Sequence, residues 1–135
     1  MKTIPILVAL LAPVFLSPVT AEEVEDWRGF RGTDGLAIIA GDDGGVLSSL
    51  GEKSLLWKVP SGSGHSSPAI SGGSLFLSSA EEGGKTLVMT AYRCSDGGVL
   101  WQHRVSGTPN GRYGHRAANP AAPTPCTDGK RVYFY

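Results

Sequence analysis

Two histidines are the first residues that could do chemistry. His65 and His115 each follow a glycine, in segments that lead toward β-rich runs. An imidazole so placed could face a channel or hold a metal. A metal site needs three or four converging ligands, however, and these two bring no others with them. They are weak channel candidates, and a hydrogen-bonded loop histidine is the plainer reading of His65. His103, two residues after Trp101, reads as a surface or strand-edge residue. Asp42 and Asp43 sit between glycines, but the spacing and closing Glu of a calcium loop are missing, so a solvated turn is expected. Gly62 and Gly64 precede no helix, which removes a phosphate-cradling loop. Ser66 and Ser67 lack the glycine-flanked elbow of a nucleophilic serine. Arg112, Tyr113 and Arg116 could touch a partner, or belong to an insertion with no role. These residues give neither a catalytic constellation nor a metal set.

The elements that would position such side chains begin after a leader. Lys2 gives a positive start, residues 4–16 are apolar, and Val19 and Ala21 are the small residues of a cleavage site. A signal peptide over 1–21 is expected, with an uncleaved anchor as the alternative. The apolar run is shorter than the roughly 20 residues of a membrane span, so the processed chain is not expected to cross a membrane. No cysteine follows the run, which argues against a lipid anchor. Removing Lys2 leaves 11 basic against 12 acidic residues, a net charge of −1. Nucleic acid is therefore not an expected partner, because that would need a basic patch. Export to the periplasm or beyond allows Cys94 and Cys126 to pair; two separate thiols, the second buried in a strand, is the other reading.

No stretch of the mature chain has helical periodicity. Glycine pairs at 44–45, 72–73, 83–84 and 97–98 punctuate short runs rich in β-formers. Strands are expected at 54–59, 67–71, 74–79, 86–92, 99–105, 124–127 and 131–135. Tight two-residue hairpins demand positive φ, which glycine supplies. In 86–92, Leu87, Met89 and Ala91 point one way while Val88 and Tyr92 point the other. A sheet apolar on both faces must be covered on both. Residues 22–53, rich in Gly and Asp, read as an extended N-terminal arm with loops, with a disordered linker as the alternative for 40–53.

A repeat runs through these strands. Residues 68–77 align without a gap on 125–134, so that Pro68 meets Pro125, Gly72 meets Gly129, Leu75 meets Val132 and Phe76 meets Tyr133. Trp57 and Trp101 head equivalent outer-strand segments. One unit spans about 66–105, four strands in roughly 40 residues, the size of one propeller blade. The expected fold is all-β: a β-propeller of four-stranded antiparallel blades. Only the first one to two blades are present, as a strand at 54–59, a blade at 66–105 and an incomplete blade at 122–135. A ring needs at least about four blades, so the chain reads as an N-terminal fragment whose strand at 54–59 completes a blade built by missing C-terminal residues.

Ala91, Gly97 and Trp101 resemble the tryptophan-docking motif of quinoprotein-type propellers, Ala-x-Asp-x-x-x-Gly-x-x-x-Trp, with Arg93 standing where that motif has Asp. Trp27, Phe30, Arg31, Gly32 and Gly35 are similar to the Trp-x-x-Phe-Arg-Gly-x-x-Gly opening of secreted bacterial proteins with pyrroloquinoline-quinone-like repeats. The Gly-His-Ser-Ser-Pro stretch at 64–68 recurs in those proteins too. The resemblance implies that the Trp stacks between neighbouring blades while Asp and Gly set the turn. It implies a protein of the bacterial cell envelope whose partners are its own missing blades and other envelope proteins.

Enzymes of the family hold pyrroloquinoline quinone in the central channel with Ca²⁺, an Asp base and often a disulfide of adjacent cysteines. None of these residues can be matched here, so quinone and calcium belong at most to a full-length protein. A non-catalytic binding or scaffold module is the leading expectation, similar to the outer-membrane assembly scaffold that shares these repeats. The N-terminal part of a quinone-dependent alcohol or sugar dehydrogenase is the alternative.

Overall fold

A computed structural model describes residues 26–38, 51–106 and 119–135. The leader, Asp42, Asp43, Arg112, Tyr113, His115 and Arg116 lie outside the described residues.

The chain is mostly β. Strands β1 (Ala69–Ser71), β2 (Ser74–Glu81), β3 (Thr86–Arg93) and β4 (Val99–Ser106) form one antiparallel sheet in the order of the sequence. This four-stranded meander is the sheet expected from the glycine-punctuated runs. Each turn is built where positive φ is affordable: Gly72 and Gly73 join β1 to β2, Gly83 and Gly84 lie between β2 and β3, and Gly97 follows β3. Strands β5 (Cys126–Thr127) and β6 (Val132–Tyr133) form a separate antiparallel pair, turned through Gly129. No closed sheet is present among the described residues, and no described helix is long and apolar enough to cross a membrane.

Register fixes which side chains share a face. Phe76 lies opposite Ala91, Ala91 opposite Trp101, Ala80 opposite Leu87 and Leu87 opposite Val105. These residues make one apolar face. Leu75, paired with Tyr92, and Val88 on the alternate positions make the other. A β-bulge between Ala91 and Tyr92 shifts the pairing, so that Tyr92 meets Val99. The core lies on β2 and β3: Val88, Ala91, Thr90, Ala80, Phe76 and Tyr92 are buried. The buried Thr90 hydroxyl is satisfied by Gln102 Nε2 at 3.1 Å. Every residue of β4 is exposed.

Residues 54–59 are expected to be a strand completed by residues outside this chain; a 3₁₀ turn occupies Glu52–Ser54, and residues 55–60 join no ladder with the described residues. The segment is held instead by side-chain docking, chiefly of Trp57.

The arm is also more than a lead-in. Trp27 exchanges two backbone hydrogen bonds with Ile70 of β1, at 2.9 and 2.7 Å. The next residue, Arg28, accepts one from the Thr127 amide of β5 at 2.9 Å. The arm thus lies between the edges of the two sheets.

Candidate functional site

Among the described glycines, Gly97 leaves the least room for a Cβ, because the Trp57 indole lies against it. Gly97 sits at φ +72°, and a Cβ placed on it would lie 2.6 Å from Trp57 Cε3 and 2.8 Å from Cδ2. The indole therefore rests on bare backbone. Its Nε1–H donates to the Cys94 carbonyl at 2.7 Å, which satisfies the polar edge of the ring. Gly97 was expected to set the turn. It does, and it is also the floor on which an indole from another segment docks.

Trp101 occupies the opposite face. Its ring centroid lies 6.1 Å from that of Phe76 and 6.3 Å from that of Phe134, the latter edge-on at 81°. Phe134 follows β6, so Trp101 lies in the seam between the two sheets. Ala91, fully buried and opposite Trp101, leaves room for that ring. The two tryptophans stand in related places. Trp57 lines a concavity with Leu77, and Trp101 meets Phe134, the residue 57 positions after Leu77.

Arg93, at the motif's Asp position, makes an ion pair with Asp96 at 2.7 Å. Asp96 also accepts from the Gly98 amide at 2.8 Å. The carboxylate that holds this turn therefore comes from three residues later. The Gly98 amide first, and Arg93 after it, keep its pKa below the ordinary carboxylate value.

Asp26 and Asp128 serve in the same way. Asp26 accepts from Arg28, from Ser71 Oγ at 3.0 Å and from the Gly72 amide at 3.0 Å. The Arg28 guanidinium is the main reason its pKa is lowered. Asp128 accepts from the Arg131 and Lys130 amides and the Tyr133 hydroxyl, and is held down to about 2. All three carboxylates are spent on holding turns and the arm. Their lowered pKa values suit fixed anions rather than proton-transfer groups at neutral pH.

The loop at 62–67 stitches the sheets together. Ser63 bridges Ala80, the His65 and Ser66 amides both donate to the Ala121 carbonyl, and Ser78 Oγ donates to the Pro123 carbonyl at 2.9 Å. The Ser67 amide donates to Thr124 Oγ1 at 3.1 Å, a bond between residues equivalent in the repeat. His65 is exposed on this loop and works through its backbone. The two repeat prolines differ: Pro125 is fully buried, Pro68 is exposed. Among the described residues no three His, Cys, Asp or Glu side chains converge. Cys94 and Cys126 are free thiols, and partial burial raises the pKa of Cys94.

Three concave surfaces among the described residues are apolar. Ser54, Leu55, Leu56, Trp57, Ile70, Leu75 and Cys94 line an open concavity of about 410 Å³. Leu56 is 87% exposed at its rim. On the other face, Leu87, Met89 and Val105 of the sheet enclose a smaller space with Ala121 and Phe134. Such surfaces suit packing against apolar side chains. Sequence reasoning missed the Trp57–Gly97 contact and the Asp26 hub. The first was foreshadowed by the repeat position of Trp57; no signal in the sequence marked Asp26. The chain matches no family model, no curated protein and no solved structure.

Proposed function

We propose that this chain is part of a secreted or periplasmic repeat protein of the propeller type, serving as a non-catalytic binding or scaffold module in the bacterial cell envelope. The observation that carries the reading is repetition at the level of contacts. Trp57 and Leu77 line one concavity, and Trp101 packs on Phe134, the residue equivalent to Leu77 in the repeat. Repeat units that meet only their neighbours behave in this way. The apolar concavity at Trp57 and the exposed side of β4 supply surface for further packing. Asp26, Asp96 and Asp128 hold turns and the arm, which is consistent with a binding role. The motif resemblance at Ala91, Gly97 and Trp101 supports the same architecture.

The test is isolation of the protein from a bacterial host. A mature N-terminus at Glu22 in the periplasmic or extracellular fraction is expected, with no dye reduction on addition of pyrroloquinoline quinone, Ca²⁺ and a panel of alcohols and aldoses. Quinone-dependent dye reduction would replace the scaffold reading with a dehydrogenase. Retention of an unprocessed chain in the cytoplasm would overturn both.

A further inference from the structure

The arm segment at 26–32 binds both sheets through a very short peptide. Trp27 pairs with Ile70 on β1, and Arg28 accepts from Thr127 on β5. One residue earlier, the Asp26 carboxylate holds Ser71 and the Gly72 amide at the β1–β2 turn, with Arg28 folded back on it. Gly29 is buried over Cys126, whose Cβ would lie 3.5 Å from a Cβ on Gly29. Gly32, at φ +86°, packs on the Trp27 ring, where an added Cβ would come within 3.1 Å. The Thr33 hydroxyl donates back to the Asp26 carbonyl at 2.8 Å. The segment is thus closed on itself and anchored at three points.

We propose that residues 26–32 form a strap that lifts from β1 and β5 as one unit. Three consecutive residues carry the anchors. Loss of the Asp26 anchor frees the peptide that makes both backbone attachments, so the two sheets lose it together. Contiguous segments with few buried side chains commonly open below the global unfolding transition. Within the strap Phe30 is largely exposed and Trp27 is only half-buried, so limited apolar burial opposes lifting.

Amide hydrogen exchange on the whole protein tests this. The Ile70 and Thr127 amides both donate to strap carbonyls, whereas Val88 lies at the centre of the sheet. In Asp26→Ala, exchange at Ile70 and Thr127 should accelerate together by roughly tenfold, the scale of a charged hydrogen bond, with Val88 unchanged. Gly29→Cys provides the opposite perturbation. The 3.5 Å approach to Cys126 Cβ falls within disulfide reach. Gly29 lies outside the left-handed region. Oxidation should slow exchange at both reporters, and reduction should restore it. Acceleration at Ile70 without Thr127 would show that the attachments open separately and would overturn the proposal. So would a locked variant with unchanged exchange, or acceleration that includes Val88.

Discussion

Replacing Gly97 with alanine isolates the contact on which the Trp57 assignment rests. Two costs combine. At φ +72° an L-residue is strained by about 1 kcal/mol. The new methyl would sit 2.6 Å from Trp57 Cε3 and 3.2 Å from Val59 Cγ1. The neighbour is the body of an indole, which cannot swing aside without leaving its hydrogen bond to the Cys94 carbonyl. Overpacking of this kind costs about 1–3 kcal/mol. The expected total is about 3 kcal/mol.

Gly83→Ala supplies the control. Gly83 has a similar φ of +67° with nothing within 4 Å of an added Cβ, so only the backbone cost of about 1 kcal/mol applies. Urea denaturation followed by circular dichroism gives each difference, and the Trp57 indole N–H resonance reports whether its bond survives. In a Trp57→Ala background the Gly97→Ala cost should fall toward that of Gly83→Ala. Equal costs for the two glycine substitutions in the wild-type background would refute the docking argument. So would a Gly97→Ala cost that is unchanged once Trp57 is gone.

Three further outcomes are expected. Trp101→Ala removes the ring between Phe76 and Phe134 and should cost about 2 kcal/mol by denaturation, less than a fully buried aromatic because Trp101 is 42% exposed. Acid should loosen the β5–β6 turn. Because the Asp128 pKa is held down to about 2 in the folded chain, its contribution is intact above the ordinary value near 3.8 and is lost as pH falls toward about 2. Lys130 and Arg131 amide shifts should report that transition, and Asp128→Asn should abolish it. Burial raises the Cys94 pKa, so Cys94 should alkylate more slowly at pH 8 than an unhindered thiol; mass spectrometry of Trp57→Ala should show faster labelling.

The sheet was legible because its turns are written in glycine and its strands in β-formers. The expected strand at 86–92 became Thr86–Arg93, and that at 99–105 became Val99–Ser106. The alternation that put Leu87 with Ala91 and Val88 with Tyr92 followed from the pleat alone. The segment at 54–59 shows what composition alone reports: a preference for extended backbone, not the partner edge that would make it part of a ladder. The arm was read as extended, but its pairing with Ile70 and Thr127 joins residues 43 and about a hundred positions apart. Hydrophobic periodicity carries no information at that range. Asp26 was invisible for the same reason: a lone acid before a tryptophan looks like any exposed carboxylate until Ser71 and Gly72 are folded against it.

The spacing of Ala91, Gly97 and Trp101 makes physical sense as an interlock. Ala91 gives room to the Trp of its own sheet, and Gly97 receives a Trp from an earlier segment. The four-stranded sheet therefore both offers an indole, Trp101 to Phe134, and accepts one, Trp57 at Gly97. The departure at Arg93 bears on how the turn is held. Asp96 already caps the Gly98 amide and uses Arg93 as its cation, both exposed. Restoring the motif with Arg93→Asp would remove that cation and set a second negative charge beside the first. The substitution should therefore destabilise slightly, as expected for an exposed pair. Adding Asp96→Ser should recover the loss, because the new carboxylate could then serve the turn alone. A single Arg93→Asp variant that gains stability by urea denaturation would show that the motif's Asp has a role here which Asp96 does not perform.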